Sequence, residues 1–242
     1  DKGTYQPDPK QTAAWNRGAY LVEGLGHCSE CHSPRNLLGG IEQKKAFTGA
    51  DIDGWFALNL TSNLKTGLGS WSVDDIATYL KTGADKSKST SLGPMSEVVH
   101  NSLSFMTDDD LQAMAEYLKA LPASSAMSPD HQPDKTLAAG ATTYVDNCSA
   151  CHQAQGSGIP GVFPALAGNG VVLAADANDI LKVVLFGIPV QDGYIAMPGF
   201  GDKLSDQQIA DLANYLRSSW GNGAAVNATA AQVAALRKLP VE

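Results

Sequence analysis

Chemistry is concentrated in two pentapeptides, Cys28-Ser29-Glu30-Cys31-His32 and Cys148-Ser149-Ala150-Cys151-His152, which together hold every cysteine of the chain. Both read Cys-x-x-Cys-His. Two thiols at this spacing can add to the two vinyl groups of one haem, forming thioethers, and the histidine that follows is placed to ligate the iron from the same side. Two alternatives compete. A zinc ribbon spaces its Cys-x-x-Cys pairs by about 15–20 residues, whereas 116 residues lie between Cys31 and Cys148. A disulfide or thioredoxin-like motif gives neither histidine a role. The motifs therefore predict two covalently attached haem c groups. Cys28, Cys31, Cys148 and Cys151 are the expected attachment points, and His32 and His152 the expected iron ligands. Attachment of this kind implies an oxidising, extracytoplasmic compartment, the periplasm for a bacterial chain.

The elements that must hold these motifs occur twice. Ser72 to Gly83 aligns without gaps on Asp176 to Gly187. Each stretch has a capping residue, an acidic first turn and a terminal glycine, and so predicts a short capped helix. Thr107 to Lys119 aligns on Ser205 to Arg217. There Leu111, Met114, Tyr117, Leu118 and Leu121 fall on one helical face, as do Ile209, Leu212, Tyr215 and Leu216. A short helical stretch with a small residue and an aromatic precedes each motif: Gly18 with Tyr20, and Gly140 with Tyr144. These would let the first and last helices of each repeat cross closely. Leu121 to Pro133 has three prolines and little periodicity, and reads as a linker. The expected organisation is a first domain over 1–121, a linker over 122–135 and a second domain over 136–242. Each domain is expected to be mostly helical, with one haem.

Composition narrows the function classes. The net charge is −8, which speaks against a nucleic-acid partner. Apolar residues are 43% of the 242, too many for disorder. The longest uncharged stretch, Asn147 to Ala175, holds five glycines and two prolines and cannot span a bilayer as a helix. Membrane association is therefore expected only through partners or a missing N-terminal region. The polar start Asp1-Lys2-Gly3 reads either as the residue of a removed signal or as a beginning inside a longer chain.

The order helix, Cys-x-x-Cys-His, loop, short helix, Met loop, terminal helix resembles class I cytochrome c. The resemblance implies an all-α fold of two tandem class I cytochrome c domains. In that family a proline carbonyl accepts a hydrogen bond from the proximal histidine and fixes its ring. Phe163-Pro164-Ala165-Leu166 puts Pro164 in this place for His152, whereas the first repeat has Leu58 there. Methionine, histidine and an open site compete for the sixth position. Met114 reads as core, Met106 as a hydrophobic staple before a helix cap, and Met127 lies in the linker. Met95 and Met197 both precede a last helix, as a class I ligand should, and both sit beside proline, which stiffens the loop. His100 rivals Met95. His27 is too close to Cys28 to reach the distal side, and His131 falls in the linker. Arg35 is a candidate partner for a haem propionate, with a solvated loop charge as the alternative. Trp55 is a candidate to pack on a haem edge or donate to a propionate, with core packing as the alternative. Trp71 is expected to staple a helix start, and Trp220 to close the second domain. Thr229 to Arg237 reads as a short amphipathic helix that docks on a domain or a partner.

Several segments, among them Asn16 to Cys28, Asp53-Gly54-Trp55, Gly67 to Trp71, Gly93 to Val99 and Met197 to Asp206, resemble the multi-haem cytochrome c subunit of membrane-associated bacterial dehydrogenases. Those enzymes oxidise alcohols, aldehydes or sugars, and some are molybdenum hydroxylases. The resemblance implies electron transfer from a dehydrogenase subunit towards ubiquinone, a cytochrome or a terminal oxidase, with no chemistry of the chain's own. The family typically carries three haem motifs, and this chain matches the second and third. It is thus either a natural di-haem relative or a chain without its first haem domain. A di-haem enzyme of peroxidase or thiosulfate-oxidising type, with one open haem, is the competing expectation.

Overall fold

The computed structural model describes residues 4–85, 88–125, 137–190 and 194–239. Most of the expected linker, with Met127 and His131, lies outside the described residues. The chain divides into two compact units, residues 1–85 with 91–126 and residues 86–90 with 127–242.

In the first unit, α1 (Ala13–Ala19) starts where the Thr12 hydroxyl accepts from the Trp15 N–H. It runs into a π-helical stretch, Tyr20–Leu25, and α2 (Cys28–His32) follows. The strands β1 (Ala50–Ile52) and β2 (Trp55–Ala57) pair antiparallel, with Ile52 opposite Trp55. Asp53 and Gly54 turn the hairpin with φ of 49° and 75°. Both central residues must be left-handed in such a two-residue turn, which is why Asp-Gly stands there. Helix α3 (Val73–Thr82) begins with a Ser72–Asp75 capping box and ends at Gly83. Then come α4 (Pro94–Asn101) and α5 (Asp108–Ala120), the latter capped by Thr107 with three aspartates in its first turn. The core gathers Val22, Leu80, Val99, Leu111, Met114 and Leu118.

The second unit repeats the plan with α6 (Ala138–Asn147), α7 (Ser149–His152), α8 (Gly170–Leu173) and α9 (Asn178–Phe186). The short strands β3 (Gly187–Ile188) and β4 (Met197–Pro198) pair antiparallel, and α10 (Asp206–Ser218) and α11 (Ala230–Leu236) complete it. Asp176, the expected capping residue, accepts from the Asn178 N–H at 2.8 Å, and α9 begins at Asn178. Helix α11 docks on its own unit. Its Val233 is fully buried, and Arg237 pairs with Asp206 at 2.5 Å and donates to the Gly201 and Leu204 carbonyls.

The close crossing occurs in both units. A Cβ built on Gly18 in α1 would fall 2.6 Å from the Ala113 carbonyl carbon and 2.9 Å from the Tyr117 Cβ of α5. One built on Gly140 in α6 would fall 2.7 Å from both the Asp211 carbonyl carbon and the Tyr215 Cβ of α10. Only glycine lets the backbones approach so far. The all-α expectation holds in part: the described residues are rich in helix and also carry two short two-stranded ribbons, one at the Asp53-Gly54 turn and the other at the Met197 segment.

Arg217 carries a charge, yet it is fully buried. Its guanidinium donates to the carbonyls of Val172, Ala174, Asp176 and Ala225 at 2.7–3.1 Å. It thereby satisfies the C-terminal end of α8, where helix carbonyls lack intrahelical donors. Burial pulls its pKa down to about 10, with Asp176 opposing the shift.

Candidate functional site

Each pentapeptide folds as a single helical turn, and backbone strain brackets both. His27, before α2, adopts φ 45°, and Gln153, after α7, adopts φ 63°. A left-handed conformation at non-glycine residues is costly and clusters at functional sites. The turn brings the cysteines and the histidine of each motif onto one short segment. Cys28 is half-buried, Cys31 exposed, Cys148 buried and Cys151 half-buried, and all four thiols are free. Burial pushes the Cys28 and Cys148 thiols up to about 11 each. Among the described residues no three His, Cys, Asp or Glu side chains converge as a metal-holding cluster.

The two histidines share one geometry. The His32 Nδ1 lies 2.6 Å from the Leu58 carbonyl, and the His152 Nδ1 lies 2.9 Å from the Pro164 carbonyl. A carbonyl only accepts, so each Nδ1 carries the proton and each Nε2 keeps its lone pair. Burial lowers the pKa of both imidazoles, and the carbonyls act in the opposite direction. A neutral imidazole with a free Nε2 is the metal-ligating form. The first repeat thus keeps the arrangement without the proline, since the accepting group belongs to the backbone.

Around the second motif the protein forms an open, largely apolar cavity. Its lining includes Cys148, Cys151, His152, Pro164, Tyr194 and Met197. Met197 is held there by the β3–β4 ribbon, where it pairs with Ile188. Asn147 also lines this cavity, and its buried Oδ1 has no hydrogen-bond partner among the described residues. Two thiols, an imidazole and a thioether on one largely apolar cavity suit a haem bound through thioethers and ligated by nitrogen and sulfur.

Around the first motif, Met95 is the second residue of α4, half-buried against the core of its unit. The Trp55 indole lies on Gly93, where a Cβ would come within 2.6–2.8 Å of three ring atoms. Trp55 therefore braces the start of the Met95 helix. His100, the rival of Met95, is exposed, with its Nδ1 2.7 Å from the Ser96 carbonyl. Arg35 is exposed and is already engaged by protein groups: it pairs with Glu30 of the motif and donates to the Gly39 carbonyl at 2.8 Å. This places it as a paired loop charge, worth about 0–1 kcal/mol at the surface. Trp220 stacks with Tyr144 and Tyr215 at ring separations of 5.0 and 5.6 Å and covers Gly156.

Sequence reasoning missed Tyr194 and Asn147 as parts of the second site, while the alignment had already set Leu58 opposite Pro164. Leu58 acts through its carbonyl, which no side-chain pattern reports. Tyr194 belongs to no motif or periodic run, and Asn147 carries a signal only through its place next to Cys148.

A family model of cytochrome c matches residues 137–220. The chain is 39% identical to the gluconate 2-dehydrogenase cytochrome c subunit of Pantoea cypripedii, over 98% of this chain and 59% of that protein. It is 42% identical to the cytochrome c subunit of the alcohol dehydrogenase (quinone) of Gluconobacter oxydans (strain 621H), over 91% of this chain and 51% of that protein. It is also 35% identical to the shorter cytochrome c-552 of Thermus thermophilus, over 40% of this chain and 83% of that protein. The chain thus spans between half and three-fifths of the length of the two dehydrogenase subunits.

Proposed function

Since the chain belongs to the cytochrome c family, we propose that it is a di-haem electron carrier built from two tandem class I cytochrome c domains. The observation that carries this reading is the meeting of Cys148, Cys151, His152 and Met197 on one cavity. In this reading Cys28 and Cys31 attach the first haem c, and Cys148 and Cys151 the second. His32 with Met95, and His152 with Met197, would hold the two irons. The haems supply the one-electron chemistry, and the protein sets their potential, spacing and docking. A thioether ligand raises the potential and fills the iron.

The residues of the chain have distinct tasks. The Leu58 and Pro164 carbonyls hold the imidazole rings and fix the Nδ1–H tautomer. The β3–β4 ribbon and the first turn of α4 present the two methionines. Trp55 stiffens the approach to Met95. No residue of either site is asked to move a substrate proton.

Matches to cytochrome c subunits of gluconate and alcohol dehydrogenases support a dehydrogenase as electron donor. A quinone, a cytochrome or a terminal oxidase would accept the electrons, and thioether attachment favours the periplasm as the compartment. The net charge of −8 would steer encounter with a basic patch on a partner. The test is the absorption spectrum of the reduced, haem-loaded chain before and after carbon monoxide. An unchanged spectrum fits two irons that each hold six strong ligands. A change in about half of the haem would mean one open site and would bring forward the di-haem enzyme reading.

A further inference from the structure

Four residues past the end of α5 in the first unit and of α10 in the second, one polar side chain reaches back to the loop that carries the carbonyl partner of the motif histidine. In the second unit this is Asn222, which is 1% exposed. Its Oδ1 accepts from the Gly168 N–H at 2.8 Å, and its Nδ2 donates to the Leu166 carbonyl at 3.2 Å and to the Leu216 carbonyl in the last turn of α10 at 2.8 Å. Leu166 stands two residues after Pro164. In the first unit the corresponding residue is Ser124. Its Oγ accepts from the Asn59 Nδ2 at 3.0 Å and from the Thr61 hydroxyl at 3.1 Å. Its N–H donates to the Thr61 hydroxyl at 3.1 Å, and its carbonyl accepts from the Asn63 Nδ2 at 3.0 Å. Asn59 follows Leu58 directly. The register that matches Thr107 with Ser205 also matches Ser124 with Asn222, so the two ties occupy one position of the repeat.

We infer that Ser124 and Asn222 are positioning residues that set the strength of the His32 and His152 Nδ1–H hydrogen bonds, and through them the reduction potential of each centre. The inference rests on the di-haem reading. Its argument is geometric. The two residues differ in chemistry, a hydroxyl in one unit and an amide in the other, yet each ties the segment that follows α5 or α10 to the residues beside the accepting carbonyl. What recurs is the tie. A hydrogen bond weakens steeply as its angle and length drift, so a loop free to move would loosen the Nδ1–H bond. A histidine that donates firmly to a carbonyl is a more basic ligand through Nε2. A more basic ligand favours the oxidised, more positive iron. Releasing the tie therefore raises the potential.

The test is a redox titration of the full haem-loaded chain, comparing the parent with Asn222→Ala, Asn222→Ser and Ser124→Ala. Partners one step removed from a metal commonly change its properties by about 10–100-fold, and these residues act one step further out. The expected change for Asn222→Ala is about threefold to tenfold in the reduction equilibrium of one centre, an upward shift of about 30–60 mV at 59 mV per tenfold. Ser124→Ala raises the other centre by less, because its backbone N–H and carbonyl still hold Thr61 and Asn63. Asn222→Ser restores part of the shift, since a hydroxyl serves at this place in the first unit. In the reduced, diamagnetic protein, NMR should show faster solvent exchange of the His152 Nδ1–H in Asn222→Ser than in the parent, with His32 unchanged. Potentials that stay at parent values in folded variants, or that move together in every variant, overturn the inference. A chain that takes up no haem at all would instead overturn the reading on which it rests. If Asn222→Ala does not fold, Asn222→Ser decides by the same two readouts.

Discussion

The crossing of α1 on α5 allows a sharp test, because two glycines six residues apart in one helical run face opposite situations. At Gly18 an added Cβ would sit 2.6 Å from the Ala113 carbonyl carbon and 2.9 Å from the Tyr117 Cβ. Both are rigid: one is helix backbone and the other is the root of a buried side chain. The helices would have to part by about 1 Å, opening the packing around Leu111, Met114 and Val22, and overpacking of this kind costs about 1–3 kcal/mol or more. Alanine returns up to about 1 kcal/mol of helix propensity. Because the clash is with backbone, the upper end of that cost applies, and the net expectation for Gly18→Ala is a loss of about 2 kcal/mol, or roughly 8 °C in the melting of that unit. At Gly24 an added Cβ would meet only the Tyr20 ring, at 3.9 Å. Gly24→Ala should therefore be neutral or gain about 0.5–1 kcal/mol. Urea unfolding followed by helical circular dichroism reads both variants against the parent. Equal stability of the two variants would refute the close crossing, and with it the shared packing plan of the two units.

Three further predictions concern the sites and their supports. Met197→His should lower one centre's potential by on the order of 100–200 mV, a fraction of the roughly 0.8 V that axial ligands command; an unmoved potential would remove Met197 from the ligand set. Arg237→Ala deletes the bonds to Asp206, Gly201 and Leu204 and should cost about 1.5–3 kcal/mol, seen as faster proteolysis within α11; an unchanged cleavage rate would mean that α11 is held by Val233 and its apolar neighbours alone. The hydrogen-bonded Arg17 guanidinium holds Asp110 below its ordinary carboxylate pKa of 3.8, with distances of 2.7 and 2.8 Å. Its pKa is lower folded than unfolded, so the stabilisation is full above pH 3.8 and fades as pH falls through the folded value. Both groups are substantially exposed, so the gain is at most about 1 kcal/mol. Arg17→Met should be less stable than the parent at pH 7, with the gap narrowing as pH falls below 3.8, and a gap that does not change with acidification would contradict the pairing.

Much of the helical plan was legible because capping residues and apolar spacing act locally. Ser72, Thr107 and Ser205 cap the helices that their spacing announced, and Leu111, Met114, Ile209 and Leu212 are buried as their periodicity required. Gly18 and Gly140 were readable as close-packing positions because a small residue recurred at the same place in both repeats. The ribbons were not readable, since strands of two or three residues leave no period to detect. The Asp53-Gly54 turn was the one local sign, and it was read for its resemblance instead. Arg217 was hidden because its burial depends on carbonyls at the end of α8, far away in sequence. Ser124 fell within the expected linker for the same reason: its partners Asn59, Thr61 and Asn63 are about 60 residues upstream. The Leu58 carbonyl could not be selected from side chains at all, although the alignment with Pro164 had put the right residue in view.

The central claim is that one chain holds two covalently bound, one-electron centres. The most direct measurement is a coulometric titration of the purified, haem-loaded chain, with its haem content taken from the intact mass. The account predicts two haems and two electrons per chain, with one haem and one electron remaining when Cys148 and Cys151 are both replaced by alanine. A single haem in the parent chain, or two haems that accept only one electron between them, would contradict it.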